Sequence, residues 1–244
     1  FLSAVLSLLV GMRRFAVLHL RKADFANLGN AMVVHLKTGF PMGFQMSVMC
    51  IGQLAMQMVV NSLGTAAVAG YTAASKADQL SVLVNNAMMT AISNYVAQNF
   101  GAGKKERIRK GTRSAVTLSC VFCFVVSALV FIFAAPLMKI FIEASRPDII
   151  EIGVGYLRIE GSFYFGIGVL FLLYGYYRAV NKPAMSVVLT VISLGTRVVL
   201  AYVLSAVPAI GVKGIWAAVP IGWVLADLTG LLYMRKTSRF LQGE

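Results

Sequence analysis

Acidic residues are scarce in this chain. Of its 244 residues only 9 are Asp or Glu, against 22 Lys and Arg, and charged residues of both signs make up 13%. A soluble domain carries about 25% charged residues. That shortfall, with 59% of the chain hydrophobic, excludes an ordinary water-soluble fold. Cysteine and histidine are rare as well, with 3 and 2 copies. Cys120 and Cys123 have the CxxC spacing but lack polar neighbours and a second ligand pair, so they and Cys50 read as small buried hydrophobes. His19 and His35 stand without a Cys or carboxylate cluster, so no metal site is expected. The chain also lacks GxSxG, HExxH and P-loop patterns. No catalytic residue and no cofactor is expected, and the chain is not read as an enzyme.

Long apolar runs are what it has instead. Residues 114–137, 161–177, 184–207 and 214–233 approach the length of about 20 residues that crosses a bilayer. Only helices and closed barrels satisfy the backbone in lipid, and runs this long indicate helices. The reading is an all-α integral membrane protein with six transmembrane helices, near 40–61, 66–98, 114–137, 149–178, 183–207 and 214–234. Pro41 and Pro183 are expected in first turns, where a missing N–H costs nothing. Residues 1–11 read as the tail of a preceding transmembrane helix, and the basic, amphipathic residues 12–37 as a connector at the membrane surface. Residues 38–234 then form the six-helix bundle and 235–244 a tail.

The net charge of +13 is distributed in alternate loops, which reports topology and not a nucleic-acid surface. Arg13, Arg14, Arg21, Lys22 and Lys37 fall on one side. So do the cluster from Lys104 to Arg113, then Arg178, Lys182, Arg235, Lys236 and Arg239. The other side holds only Lys139, Arg146 and Lys213. The positive-inside rule makes the first side cytoplasmic, with the C-terminus on it, in a multi-pass protein of the cell membrane.

Charges inside the spans carry the functional signal. The stretch YTAASKADQL sets Lys76 and Asp78 deep in the second span. A charge in that position costs at least about 2.5–3.5 kcal/mol and normally faces a bundle interior or wet cavity. Residues two apart on a helix point about 200° away from each other, so the two cannot pair within it. An inter-helix salt bridge that fixes packing and a cavity-lining role both satisfy this constraint. Other polar residues share the interior: Gln53, Gln57 and Asn61 at four-residue spacing, with Gln45 lagging round the helix, and Asn85 on the face of Asp78. Arg158, Glu160 and Tyr164 lie in the fourth span, Arg197 in the fifth and Asp227 in the sixth. The candidate binding residues are Gln53, Gln57, Tyr71, Lys76, Asp78, Asn85, Glu160 and Tyr164, while Arg158, Arg197 and Asp227 are read as structural charges. Abundant methionines beside aromatic rings, such as Met46, Met49 and Met56 near Phe44 and Tyr71, suit either an adaptable binding surface or plain lipid-facing packing.

Two stretches, NSLGTAAVAGYTAASKADQL and VAQNFGAGKKERIRKG, resemble the multidrug and toxic compound extrusion (MATE) transporters. The later YLRIEGSFYFGIGVLFLLYGYYRAVNKP and GIWAAVPIGWVLAD are similar to the family in the same order. The resemblance implies one lobe of a pseudo-symmetric twelve-helix transporter. It makes this chain the C-terminal lobe, preceded by the end of a seventh helix and the junction between lobes. It further implies an N-terminal lobe as partner within the full-length protein, and efflux of amphipathic, often cationic compounds in exchange for H⁺ or Na⁺ by alternating access. The first span here has no acid, the fourth is apolar around Ile167, and Arg197 in SLGTR lacks a Glu four residues earlier. A coupling carboxylate in the N-terminal lobe is therefore expected. The alternative function is a flippase for lipid-linked precursors, which would want a strongly cationic cavity.

Overall fold

The computed structural model describes residues 2–16, 19, 28–207 and 212–242, and among these no strand occurs. The helices are α1 (Leu2–Arg14), α2 (Leu28–Asn61), α3 (Thr65–Gly101), α4 (Lys105–Phe141), α5 (Pro147–Gly161), α6 (Tyr164–Ala179), α7 (Pro183–Ser205) and α8 (Val212–Gln242). Two compact units divide the chain, Phe1–Phe40 and Pro41–Glu244. In the first, α1 buries no residue, and His35 and Thr38 bond back to the carbonyls of Ala31 and Val34. The expected connector at 12–37 falls partly outside the described residues, at 17–18 and 20–27, while 28–37 are helical.

Among the described residues four helices are long and apolar enough to cross a membrane, and the α5–α6 pair makes a fifth if its two halves count as one span. The remaining long helix, α3, has its hydropathy diluted by Lys76, Asp78, Asn85 and Asn86. It packs against α4, α5 and α6, which bury Asn85 and leave Lys76 and Asn86 exposed. Two expectations need correction. Pro41 lies inside α2 and not in its first turn, because helical residues precede it from Leu28. The fourth span is not continuous: α5 and α6 meet at a 54° bend. Gly161, the last residue of α5, is a poor helix former, and the Ser162 hydroxyl donates to the Arg158 carbonyl at 2.6 Å, which loosens the backbone ladder. Pro183 does stand in the first turn of α7. A second break lies in α4, where Phe133 leaves helical geometry three residues before Pro136.

Helix α6 is the axis of the Pro41–Glu244 unit. It is apolar on every side and buried from Ile167 to Tyr177 almost without interruption, as a helix must be when it packs on α3, α4, α7 and α8 at once. Gly175 permits the closest approach along α6: a Cβ there would stand 2.5 Å from the Met89 carbonyl oxygen. The Tyr177 hydroxyl donates to the Gly230 carbonyl at 2.6 Å and ties α6 to α8. Two turns at the basic end share one design. Gly103 and Asn181 take left-handed backbone angles, and Lys104 N–H and Lys182 N–H reach back to the carbonyls of Asn99 and Tyr177, closing α3 and α6 with Schellman caps. The outer surface is apolar. Phe124 is 75% exposed and Ile51 and Leu54 each 66%, the pattern of a surface solvated by acyl chains.

Candidate functional site

A cavity of about 380 Å³ opens within the Pro41–Glu244 unit, with walls from α2, α3, α5, α6, α7 and α8. Helical spacing sets its lining. Tyr71, Ser75, Asp78 and Val82 recur at three- and four-residue steps along one face of α3, and Thr190, Ser193 and Arg197 do the same on α7. Tyr156 and Glu160, one turn apart, come from α5 just before the bend. Glu160 thus reaches the cavity from the last turn of α5, and α6 beyond the bend supplies Ile167, Leu170, Phe171 and Tyr174.

Three charges meet there. Asp78 lies within electrostatic reach of Arg197, Glu160 and the Tyr164 hydroxyl. Glu160 is 4% exposed. The Arg197 guanidinium rests over the Trp223 ring, 5.4 Å from its centre. No salt bridge joins any two of the three charges. Three polar atoms of the cavity wall have no hydrogen-bond partner: Ser75 Oγ, Glu160 Oε2 and Arg197 Nε. Buried polar atoms are nearly always satisfied, so these three, which share one cavity, mark a place where water or a polar ligand belongs. One wall is aromatic. Tyr71 stacks parallel on Trp216 at 5.6 Å, and Tyr156 meets both rings edge-on at 5.3 and 5.1 Å.

At the other edge of the cavity the polar groups are paired. Arg178 donates to Gln45 Oε1 at 2.9 Å, and Gln45 Nε2 donates to the Thr190 hydroxyl at 2.9 Å. Thr190 in turn donates to the Ser186 carbonyl at 2.9 Å and meets the Tyr174 hydroxyl at 3.0 Å. Gln45 is fully buried. This chain of bonds pins α2 to α6 and α7.

The structure brings together Gln53, Gln57, Tyr71, Asp78 and Glu160 as lining residues, with Tyr164 beside Asp78. Gln57 also donates to Asn61 at 2.8 Å. Lys76 and Asn85 lie elsewhere. Lys76 is exposed, its ammonium 5.9 Å from the centre of the Phe141 ring in the last turn of α4. Asn85 is buried between α3 and α4 and accepts from the Cys123 thiol at 3.6 Å. Among the three residues read as structural, Arg158 is exposed and lies over Phe131, and Asp227 is buried beside Gly166. Arg197 lines the cavity. Sequence reasoning passed over Ser75, Tyr156, Ser193, Thr190 and Trp223. The signal for the first four was their spacing from Asp78, Glu160 and Arg197; Trp223 carried none.

Residues 41–203 match the MatE family. The chain belongs to that family. Its relatives include the probable multidrug resistance protein YpnP of Bacillus subtilis, 33% identical over 202 residues, covering 82% of this chain and 44% of the relative. The probable multidrug resistance protein NorM of Thermotoga maritima is 28% identical over 210 residues, 86% of this chain and 44% of the relative. The MatE chain thus spans about half the length of the curated relatives it matches. A mutant of the Vibrio cholerae MATE transporter VcmN shares the fold, with a TM-score of 0.86 at 18% identity over 97% of this chain and 52% of that one. This MatE chain is accordingly a multi-pass, all-helical membrane protein.

Proposed function

We propose that the full-length transporter containing this chain is a secondary active exporter of amphipathic, often cationic organic compounds, exchanged for H⁺ or Na⁺ by alternating access. The observation that carries the reading is the cavity. It sets two carboxylates, Asp78 and Glu160, beside the rings of Tyr71 and Tyr156 on the same walls, and neither acid is neutralised by a salt bridge. A lipophilic cation finds both of its requirements there, a ring to stack on and a negative charge. A proton or Na⁺ can occupy the same acids when the substrate is gone. The names of the curated relatives agree with multidrug transport. The partner lobe completes the cavity in this reading, and the basic loops face the cytoplasm of the cell.

The flippase alternative is less well supported. One arginine against two carboxylates is the wrong balance for a lipid pyrophosphate. The test is to reconstitute the full-length protein in liposomes, add a cationic dye, and record proton release and Na⁺ uptake. Dye-dependent ion flux that falls in Glu160→Gln is the expected result. Absence of any dye-dependent flux, with transport of a lipid-linked pyrophosphate instead, overturns it.

A further inference from the structure

The cytoplasm-proximal half of α4 contains a feature that the cavity does not use. Two neighbouring ridges run down its outer face at four-residue intervals. One is Arg109, Arg113, Thr117, Val121 and Val125, and the other is Lys110, Ser114 and Leu118; all are exposed. Read along the helix, the chemistry changes in order. Three cations come first, two hydroxyls follow, and an apolar surface continues with Leu118 58%, Val121 57% and Phe124 75% exposed. The same sequence of phosphate, ester oxygens and acyl chain describes a phospholipid.

The groups are also unengaged. Among the described residues, Arg109 and Arg113 have no ion-pair or hydrogen-bond partner, and Lys110 has only the exposed contact to Glu106 at 2.9 Å. The hydroxyls of Ser114 and Thr117 make no bond either, although Thr38, Ser47, Thr90 and Thr229 all donate back to a carbonyl of their own helix. Two other cations at this end are occupied, Arg178 with Gln45 and Lys182 over the Tyr233 ring.

Depth agrees with chemistry. α4 has 37 residues, about 55 Å at the helical rise, well beyond the hydrocarbon core of about 30 Å. Arg113 lies about 8 Å below Leu118, which is the depth of the headgroup layer when Leu118 begins the acyl region. Arginine pairs with phosphate through two parallel N–H donors, and two arginines one turn apart make such a clamp.

We propose that Arg109, Lys110 and Arg113, with Ser114 and Thr117, form a binding site for the headgroup of an anionic phospholipid. The lipid lies along α4 with its chains on Leu118, Val121 and Phe124. The site stands independently of what the cavity transports.

The test uses the full-length transporter in nanodiscs of phosphatidylcholine with a minority of phosphatidylglycerol. The phosphatidylglycerol retained per protein is counted by native mass spectrometry. Arg109→Gln/Arg113→Gln is compared with Lys104→Gln/Arg107→Gln, which removes the same two charges from the same end but farther from the apolar face. The first pair is expected to lower retention about tenfold or more, the second less than about twofold, and millimolar inorganic phosphate to displace nothing. Ser114→Ala/Thr117→Val, which keeps every charge, is expected to lower retention measurably. Equal loss in both charge pairs reduces the cluster to diffuse electrostatics and overturns the site. Unchanged retention in the first pair, or displacement by free phosphate, overturns it as well.

Discussion

Two polar regions lie on the same cavity and could hardly differ more. Around Gln45 a run of donors has met acceptors, arginine to amide, amide to hydroxyl and hydroxyl to carbonyl, with Arg178 Nε the one atom left over. Around Asp78, Glu160 and Arg197 three polar atoms are left open, and charges sit within reach of one another without closing a salt bridge. A satisfied network in a low-dielectric interior rigidifies what it joins. An unsatisfied one leaves its binding capacity available to something else. The first region is therefore read as the joint that holds α2, and the second as the surface that works.

The comparison breaks most visibly at the joint. Gln45→Ala strands the Arg178 guanidinium and removes the donor to Thr190, so an apparent stability loss of about 2–4 kcal/mol is expected, read as a fall in melting temperature of the purified full-length protein. A melting curve that does not move would show that the bonds around Gln45 hold nothing. In the cavity the balance reverses. Glu160→Gln should lower dye-coupled ion flux at least about tenfold, equivalent to about 1.4 kcal/mol. The melting temperature should stay level or rise, since an uncompensated buried charge is removed. A large loss of stability with normal flux would move Glu160 into the structural class. Asp78→Asn is expected to impair efflux with little effect on folding, and by less than Glu160→Gln, because Asp78 is the more exposed acid. If instead it unfolds the protein, and a compensating change at Arg197 restores it, the pair was structural.

The smallest effect is expected at the exposed turn before α5. There Arg146 donates to Asp148 at 3.0 and 3.2 Å, and this hydrogen bonding holds the Asp148 carboxyl below the usual carboxylate range. A lowered pKa contributes stability above the ordinary value of about 3.9 that is lost as pH falls through the lowered one. Arg146→Gln should return Asp148 toward the ordinary range in a carboxyl titration and barely move the melting temperature at neutral pH, where a fully solvated pair contributes little.

The cost of burying charge made part of the site legible in sequence. Asp78 and Glu160 stood out because nothing apolar explains an acid in those spans, and both line the cavity. The same argument did not separate Lys76 from Asp78. A long ammonium stem can lean outward to Phe141, whereas a short carboxylate stays where its Cα puts it. It also did not separate Arg197 from Arg158. Both are arginines within apolar runs, and only packing of α7 beside α8 brings one of them over Trp223 and into the cavity. The bend between α5 and α6 had a local cue in Gly161-Ser162, but a glycine and a serine occur in many unbroken spans. At the break Gly161 packs closely on α4, whose Val130 lies 3.0 Å from where a Cβ would be, a contact between helices that the local sequence does not announce.

Sequence by itself determined that this chain lives in a bilayer, as helices, with acids in its interior. Those outcomes follow from hydrocarbon thickness and the cost of unsatisfied backbone in lipid, which act on local composition and need no knowledge of neighbours. Tertiary structure alone decided which polar groups pair and which stay open. Gln45 and Gln53 are the same residue type on one helix, eight positions apart. One is buried in hydrogen bonds to α6 and α7, and the other faces an open cavity. Pairing depends on what stands opposite across a few ångströms, and that is set by how helices distant in sequence cross.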